Sequence, residues 1–202
     1  MKHLFLSVAA AALATGAVST AHAEPFNGAY VGVQGGWSET DIGNASTPVG
    51  TVEVDRSKDV ASGGVYMGYD FKLSPSFVVG AEAGVQVGVD DEVTRITDDA
   101  RVTMDPKHAI DLTARAGFLV DDDTLVYARG GYANARVKTS VVDSVGVRSG
   151  TDNRDGWLVG GGIEHALSDD FSARAEYRYS DLGDRGGKLD RHQALFGISY
   201  RF

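Results

Sequence analysis

The chain has 202 residues, with 26 Gly, 4 Pro, no Cys and a formal net charge of −9. That length suits one domain, or two small ones at most. Zero Cys excludes a disulfide framework, a thiolate metal site and a Cys nucleophile, and the acidic balance lacks the basic footprint of a nucleic-acid binder.

The first 23 residues read differently from the rest. Lys2 and His3 give a short basic start, residues 4–18 are apolar except for Ser7, Thr15 and Gly16, and Ala21-His22-Ala23 sets small residues two apart before Glu24. This layout predicts a secretory signal peptide cleaved after Ala23, because the apolar run is too short to span a bilayer. The mature chain is then residues 24–202, with a formal charge of −10. Export without Cys points to a bacterial envelope protein. No later segment holds 18 consecutive apolar residues, so no transmembrane helix is expected. A soluble exported protein and a membrane β-barrel remain, and the barrel's alternation escapes hydropathy averages.

Eight stretches of roughly ten residues alternate with period two, the signature of strands. In the first, Ala29, Val31, Val33 and Trp37 oppose Tyr30, Gly32, Gln34, Gly36 and Ser38. The second sets Ala61, Val65, Met67, Tyr69 and Phe71 against Ser62, Gly64, Tyr66, Gly68 and Asp70. The third runs from Phe77 through Val89 with Gly80, Glu82, Gly84 and Gln86 on its other side, and the fourth sets Ile110, Leu112, Ala114 and Phe118 against Asp111, Thr113 and Arg115. The fifth places Val126, Ala128 and Tyr132 against Tyr127, Arg129 and Gly131, and the sixth Trp157, Val159 and Ile163 against Gly160, Gly162 and Glu164. The seventh opposes Phe171, Ala173, Ala175, Tyr177 and Tyr179 to Ser172, Arg174, Glu176 and Arg178, and the eighth Ala194, Phe196, Ile198, Tyr200 and Phe202 to Gln193, Gly197, Ser199 and Arg201. Eight is the even number that a closed single-chain barrel wants.

In a soluble sandwich the apolar faces would pack together and the charges would meet water. In a membrane barrel the apolar faces meet lipid and the charges fill the interior. Medium and small apolar residues with aromatics near the strand ends, set against Gly-rich polar faces, favour the barrel. The predicted interior cluster is Gln34, Glu82, Asp111, Arg115, Arg129, Glu164, Arg174, Glu176 and Arg178. Its four Arg and four carboxylates suit a salt-bridged plug better than an ion path.

The connections alternate in length. Leu73-Ser74-Pro75-Ser76, Asp121-Asp122-Asp123 and Leu167-Ser168-Asp169-Asp170 read as tight turns, whereas residues 39–59, 90–107, 137–155 and 181–191 read as long loops. Short turns on one rim and long loops on the other place both termini in the periplasm. Phe71, Phe77, Phe118, Phe171, Tyr200 and Phe202 then form a periplasmic girdle, and Trp37, Trp157 and Tyr179 an outer one.

The closing stretch, with Phe196, Ile198, Tyr200 and final Phe202 at alternate positions, looks like the terminal signature of outer-membrane proteins. That resemblance implies recognition by the barrel-assembly machinery. The whole mature chain resembles the eight-stranded barrel of outer membrane protein A and the opacity-type surface proteins. Tyr30-Val31-Gly32 through Gly36-Trp37-Ser38 is similar to that family's first strand, and the stretch with Gly80-Ala81-Glu82 to its third. Gly161-Gly162-Ile163-Glu164 and Ala173-Arg174-Ala175-Glu176-Tyr177 are similar to the two strands before the last. The resemblance implies a charged cluster inside the barrel, with Glu82, Glu164 and Arg174 at matching positions. Gln34 stands where outer membrane protein A has a Lys, which puts an identical gating arrangement in doubt. No peptidoglycan-binding domain is expected after the last strand.

Other signals carry less. The glycine runs lie within alternating strands, and residues 183–188 lack the Ser or Thr that a phosphate loop places after its Lys. The acidic residues Asp90, Asp91, Glu92, Asp98 and Asp99 lack EF-hand spacing. His108, His165 and His192 show no deacylase-like Ser partner; Asp190 and His192 could pair, but a polar interfacial His is the expected reading. The sequence therefore predicts an all-β, eight-stranded antiparallel up-and-down transmembrane barrel in the bacterial outer membrane. No enzyme activity, metal or cofactor is expected. Its partners are membrane lipid and lipopolysaccharide, with an extracellular ligand at the loops. The expected role is structural and surface-interacting, with a small porin as alternative and a lipid-A-modifying enzyme behind it.

Overall fold

The computed structural model describes residues 24–42, 45–47, 50–52, 56–88, 93–97, 100–143, 146–182 and 189–202. The leader, the acidic residues 90–92 and 98–99 and the glycine-containing stretch 183–188 lie outside them. Among the described residues there is no helix. Eight long strands form one sheet: β1 (Gly28–Ile42), β2 (Arg56–Ser74), β3 (Phe77–Gly88), β4 (Ala100–Asp121), β5 (Thr124–Asp143), β6 (Gly146–Ala166), β7 (Phe171–Asp181) and β8 (Leu189–Arg201). Each pairs antiparallel with its chain neighbour, and β1 closes the ring on β8 from Tyr30↔Arg201 to Ile42↔Leu189. Three short strands, Ala45–Thr47, Gly50–Val52 and Val93–Thr97, decorate one end.

Alternation decides which way each side chain faces. Val33, Leu112, Phe118 and Phe196 are each about three-fifths exposed on the outer wall, while Glu82, Glu164 and Arg178, of opposite parity, are buried inside. This is a soluble protein's pattern turned inside out, with the polar face shut in and the apolar face presented outward. Such a chain is stable only where hydrocarbon covers that face.

Two reciprocal contacts allow large rings inside so narrow a barrel. Tyr30 lies opposite Gly68, and Tyr66 opposite Gly32, across the β1–β2 pair. A Cβ on Gly32 would sit 2.2 Å from the Tyr66 ring, and one on Gly68 would sit 2.4 Å from the Tyr30 hydroxyl. Each ring lies flat over the bare backbone of the facing strand, the arrangement by which aromatics cover strand glycines.

The periplasmic turns match the expected positions. Pro75-Ser76 and Asp122-Asp123 are two-residue connections, and residues 167–170 form the third. The Asp123 backbone N–H donates to the Asp121 carboxylate at 3.0 Å, and the Phe171 N–H to Ser168 Oγ at 3.2 Å. Beside them the Asn27 N–H donates to the Glu24 carbonyl at 3.0 Å, and Lys72 Nζ pairs with Glu24 Oε1 at 2.9 Å.

The opposite end corrects the expected loops. Residues 137–155 are not a loop. β5 and β6 stay paired through Asp143↔Gly146. β4 likewise starts at Ala100, within the expected 90–107 loop, and β1 and β2 remain paired out to Ile42↔Arg56. Beyond Tyr132 the β5–β6 ribbon adds 11 residues per strand, roughly 35 Å at the strand rise. Residues 137–153 carry no sustained period-two alternation of apolar and polar residues, so the pattern that marks strands does not extend to them. Pro106 sits beside a register shift in β4, between Pro106 and His108, the kind of irregularity at which strand prolines are found.

Gly32→Ala should lower unfolding stability by about 1–3 kcal/mol through the Tyr66 clash. Gly35→Ala, whose Cβ would meet only Ser62 O at an ordinary 3.6 Å, should stay within about 0.5 kcal/mol of the parent; urea titration read by heat-modifiable gel mobility checks both. The Glu24 carboxyl is held below the usual carboxylate range by the Lys72 hydrogen bond and then by its charge. Because the folded value is the lower one, the contact's contribution is intact at neutral pH and disappears only as pH falls through that depressed value. A carbon-13 titration of Glu24 should give a midpoint below that of an unstructured Glu.

Candidate functional site: an ion-paired lumen

Seven of the eight strands send charge inward, and β1 contributes Tyr30 and Gln34. Gln34, Glu82, Asp111, Arg115, Arg129, Glu164, Arg174, Glu176 and Arg178 all lie buried in the lumen. The inner positions of the sheet place them there, and ion pairing across the barrel fixes their geometry.

The tier nearer the periplasm is organised by Arg115 of β4. It forks onto Asp70 of β2, with Nε to Oδ1 at 2.8 Å and Nη2 to Oδ2 at 2.5 Å, and its Nη1 donates to Glu164 of β6 at 2.8 Å. One guanidinium thus ties together strands on opposite walls. Arg201 of β8 donates to Asp70 Oδ2 at 3.0 Å, and Ser172 Oγ donates to Glu164 at 2.6 Å. The bidentate geometry is the strong form of Arg–carboxylate recognition.

Glu82 of β3 is the hub of the next tier. It accepts from Arg174 of β7 at 2.6 Å, from Arg129 of β5 at 2.8 Å and from the Tyr30 hydroxyl at 2.9 Å. Glu176 accepts from Arg129 at 3.2 Å, from Tyr127 at 2.5 Å and from Arg178 Nε. Asp111 lies 3.4 Å from Arg129 and 3.7 Å from Arg178. Gln34 Oε1 accepts from Arg174 at 2.7 Å and from Arg178 at 3.2 Å, so this neutral amide orients two cations without adding a third. Gln34 Nε2, Arg129 Nε and Arg178 Nη1 have no hydrogen-bond partner within the protein. Toward the outside a neutral tier follows, in which Gln193 donates to Gln86 at 2.8 Å and to Ser38 at 2.9 Å, and Ser38 donates to Ser62 at 3.0 Å.

Three tyrosines complete the filling. Arg174 stacks over the Tyr66 ring at 3.5 Å, and Arg115 lies over Tyr30 at 4.7 Å and Tyr127 at 5.1 Å. Ring faces thereby cover guanidinium planes that no water reaches.

Asp70, Arg201, Tyr30, Tyr66 and Tyr127 belong to this lumen and were absent from the predicted cluster. Their parity already marked them, since each falls on the polar side of its strand. Asp70 and Arg201 sit near strand ends and drop out when only mid-strand charges are counted. With them the count becomes five Arg against five carboxylates, and each of the ten has an opposite charge within 4 Å.

The remaining named residues lie on the outer wall. Phe196, Ile198, Tyr200 and Phe202 are exposed along the outer face of β8 and the residue after it. At the periplasmic level Phe77 meets Phe118 at 5.5 Å, Phe71 meets Tyr69 at 4.6 Å, and Phe171 meets Tyr200 at 5.2 Å. At the outer level Trp157 meets Tyr179 at 5.5 Å, and Trp37 stands exposed on β1. His192 joins this group with Nδ1 2.7 Å from the Tyr177 hydroxyl, a polar contact at the outer interface. His165 Nδ1 lies 3.0 Å from Thr124 Oγ at the periplasmic end.

A closed antiparallel ring, apolar outside and ion-paired inside, with aromatic bands at two levels, is an integral membrane β-barrel. The chain belongs to the outer membrane protein beta-barrel domain family, whose model matches residues 8–202, and its location is the bacterial outer membrane. It is 25% identical over 207 residues to the 31 kDa outer-membrane immunogenic protein of Brucella melitensis, covering 88% of this chain and 84% of that one. It is 33% identical over 99 residues to outer membrane protein A of Klebsiella pneumoniae, covering 46% of this chain and 29% of that one. Among solved structures it resembles Neisserial surface protein A, at TM-score 0.54 and 17% identity over 87% of this chain and 98% of that one. It also resembles the attachment invasion locus protein Ail of Yersinia pestis, at TM-score 0.52 and 12% identity over 87% and 99%. Ail has also been solved in complex with the heparin analogue sucrose octasulfate.

Arg115→Ala removes the one group that pairs both Asp70 and Glu164 at hydrogen-bonding distance. It should lower unfolding stability by about 3–5 kcal/mol, the cost of breaking a buried ion pair from one side. The double variant Arg115→Met with Asp70→Asn should recover part of that loss in the same urea titration.

Proposed function

We propose that this protein is a surface-interaction component of the outer membrane. Its barrel is a closed anchor, and its extracellular ribbons recognise a partner outside the cell. The observation that carries this reading is the filled lumen. Side chains of all eight strands meet across the interior, and the charged tiers are buried. An eight-stranded barrel has room for such a filling and little else. The paired ribbons that stand above the outer aromatic level are then the largest part of the chain available to another molecule. The relatives and structural neighbours, immunogenic outer-membrane proteins and an attachment protein, support the same reading. Sulfated glycans are the first ligand class to test, since the Ail complex holds a heparin analogue.

Three further elements belong to the proposal. Residues 1–23 act as a cleaved leader for export. Phe196, Ile198, Tyr200 and Phe202 present the outward alternate pattern that the assembly machinery reads in the last strand. Phe71, Phe77, Phe118, Phe171, Trp37, Trp157 and Tyr179 anchor the barrel at the two interfaces, where amphipathic rings are stable. The barrel is assigned no chemistry of its own; His192 contacts Tyr177 on the outer wall and His165 contacts Thr124 at the periplasmic end.

The ribbon makes the test clean. Replacing residues 136–153 by Asn-Gly joins Ala135 to Arg154, which are already paired, through a two-residue hairpin. Bacteria carrying this variant should keep the heat-modifiable folded band and lose most of their attachment to host-cell or sulfated-glycan surfaces. Unchanged attachment overturns the assignment to this ribbon. In planar bilayers the parent protein should show no discrete conductance steps; regular steps would favour the small-porin reading instead.

A further inference from the structure

The four residues before β1 take a course that the barrel does not require. N-terminal segments are ordinarily exposed unless something ties them down. Here Glu24–Asn27 makes a turn back under the sheet, and the Phe26 ring enters the periplasmic end of the lumen, where it is 1% exposed. Phe26 has φ of 61°, and it is the one non-glycine residue with positive φ among the described residues. A bulky residue in that region is strained, and it persists only where the surroundings over-determine it.

The surroundings do so. Val78 of β3 and Leu125 and Tyr127 of β5 form a buried apolar socket around the ring, with Leu119 and Ala166 packed against it. Val78 and Leu125 occupy inward positions at the periplasmic end of the lumen, as Leu195 and Leu158 do farther up. Aliphatic residues at these inward sites have no lipid to face, and their partner is Phe26. From above, the Arg201 guanidinium lies 5.6 Å over the Phe26 ring, so the ring separates the charged tier from the periplasm. From outside, the Glu24–Lys72 pair at 2.9 Å and the Asn27–Glu24 backbone bond hold the segment to the rim of β2.

We propose that Glu24–Asn27 is a built-in stopper for the periplasmic mouth: Phe26 seals the ion-paired lumen from periplasmic water, and the Glu24–Lys72 clasp holds the strap in place. The stopper begins at Glu24, the residue directly after the proposed leader. It stands independently of what the extracellular ribbons bind.

The absence of native Cys makes thiol labelling a direct assay. Val78→Cys places a reporter beneath Phe26, and Ser74→Cys places an exposed control on the same rim. In protein purified from outer membranes, a charged methanethiosulfonate reagent should label Ser74→Cys rapidly and Val78→Cys at least about tenfold more slowly, as expected for a site reached only through local opening. Adding Phe26→Ala should bring Val78→Cys close to the control rate, and Phe26→Leu should restore protection. Lys72→Gln, which loosens only the clasp, should raise Val78→Cys labelling severalfold while the folded gel band is unchanged. Equal labelling of Val78→Cys and Ser74→Cys in the parent overturns the stopper. If Phe26→Ala does not fold, the Lys72→Gln result decides: no increase in labelling overturns the clasp and with it the strap.

Discussion

Hydrocarbon offers a backbone N–H or C=O nothing to bond, so a sheet that crosses a bilayer can have no edge. Here the last edge disappears in the ladder between β1 and β8, which runs the whole length of β8. Closure has a second consequence. It shuts one face of every strand into a space about one side chain wide, and that face carries the charges. The structure is the joint solution to both demands: the ring satisfies the backbone, and the ion pairs satisfy what the ring encloses.

Charge removed from water is costly, and pairing offsets that cost only with good geometry. The lumen supplies it by using strands as fixed mounts. Arg115 reaches Asp70 and Glu164 from one guanidinium, and Glu82 gathers Arg129, Arg174 and Tyr30. Each link crosses the barrel, so the network also braces it. Apolar groups bound the network below at Phe26, Val78 and Leu125, and above along one wall at Ala133, Ala135, Leu158 and Leu182. The paired charges therefore sit in a low-dielectric chamber, where each contact is stronger than it would be in water. Gln34 fits the same logic. It lets Arg174 and Arg178 share an acceptor while the count of Arg and carboxylates stays even.

This division of labour shapes what the protein can do. Ion pairs that brace the wall occupy the lumen, and the outer wall is committed to lipid. What remains for recognition is the set of ribbons beyond the outer aromatics, outside the hydrocarbon layer and the described ion-paired tiers. Membership of the outer membrane protein beta-barrel domain family fixes the anchor, and sequence differences above the membrane set the individual role.

The amino-acid sequence alone determined strand number, facing and location, because a barrel wall has two unlike sides and a one-residue slip would put charge into lipid. Glu82, Arg129 and Arg174 were legible as interior residues for that reason. It did not determine which charge pairs with which, because partners such as Arg115 and Asp70 lie 45 residues apart and meet only when the ring closes. Nor did it show that residues 137–155 continue as paired strands, since the period-two alternation that marks a two-sided wall is not sustained there. The burial of Phe26 was invisible for a related reason: its socket is assembled from β3 and β5, and no local pattern records a space that only tertiary structure creates.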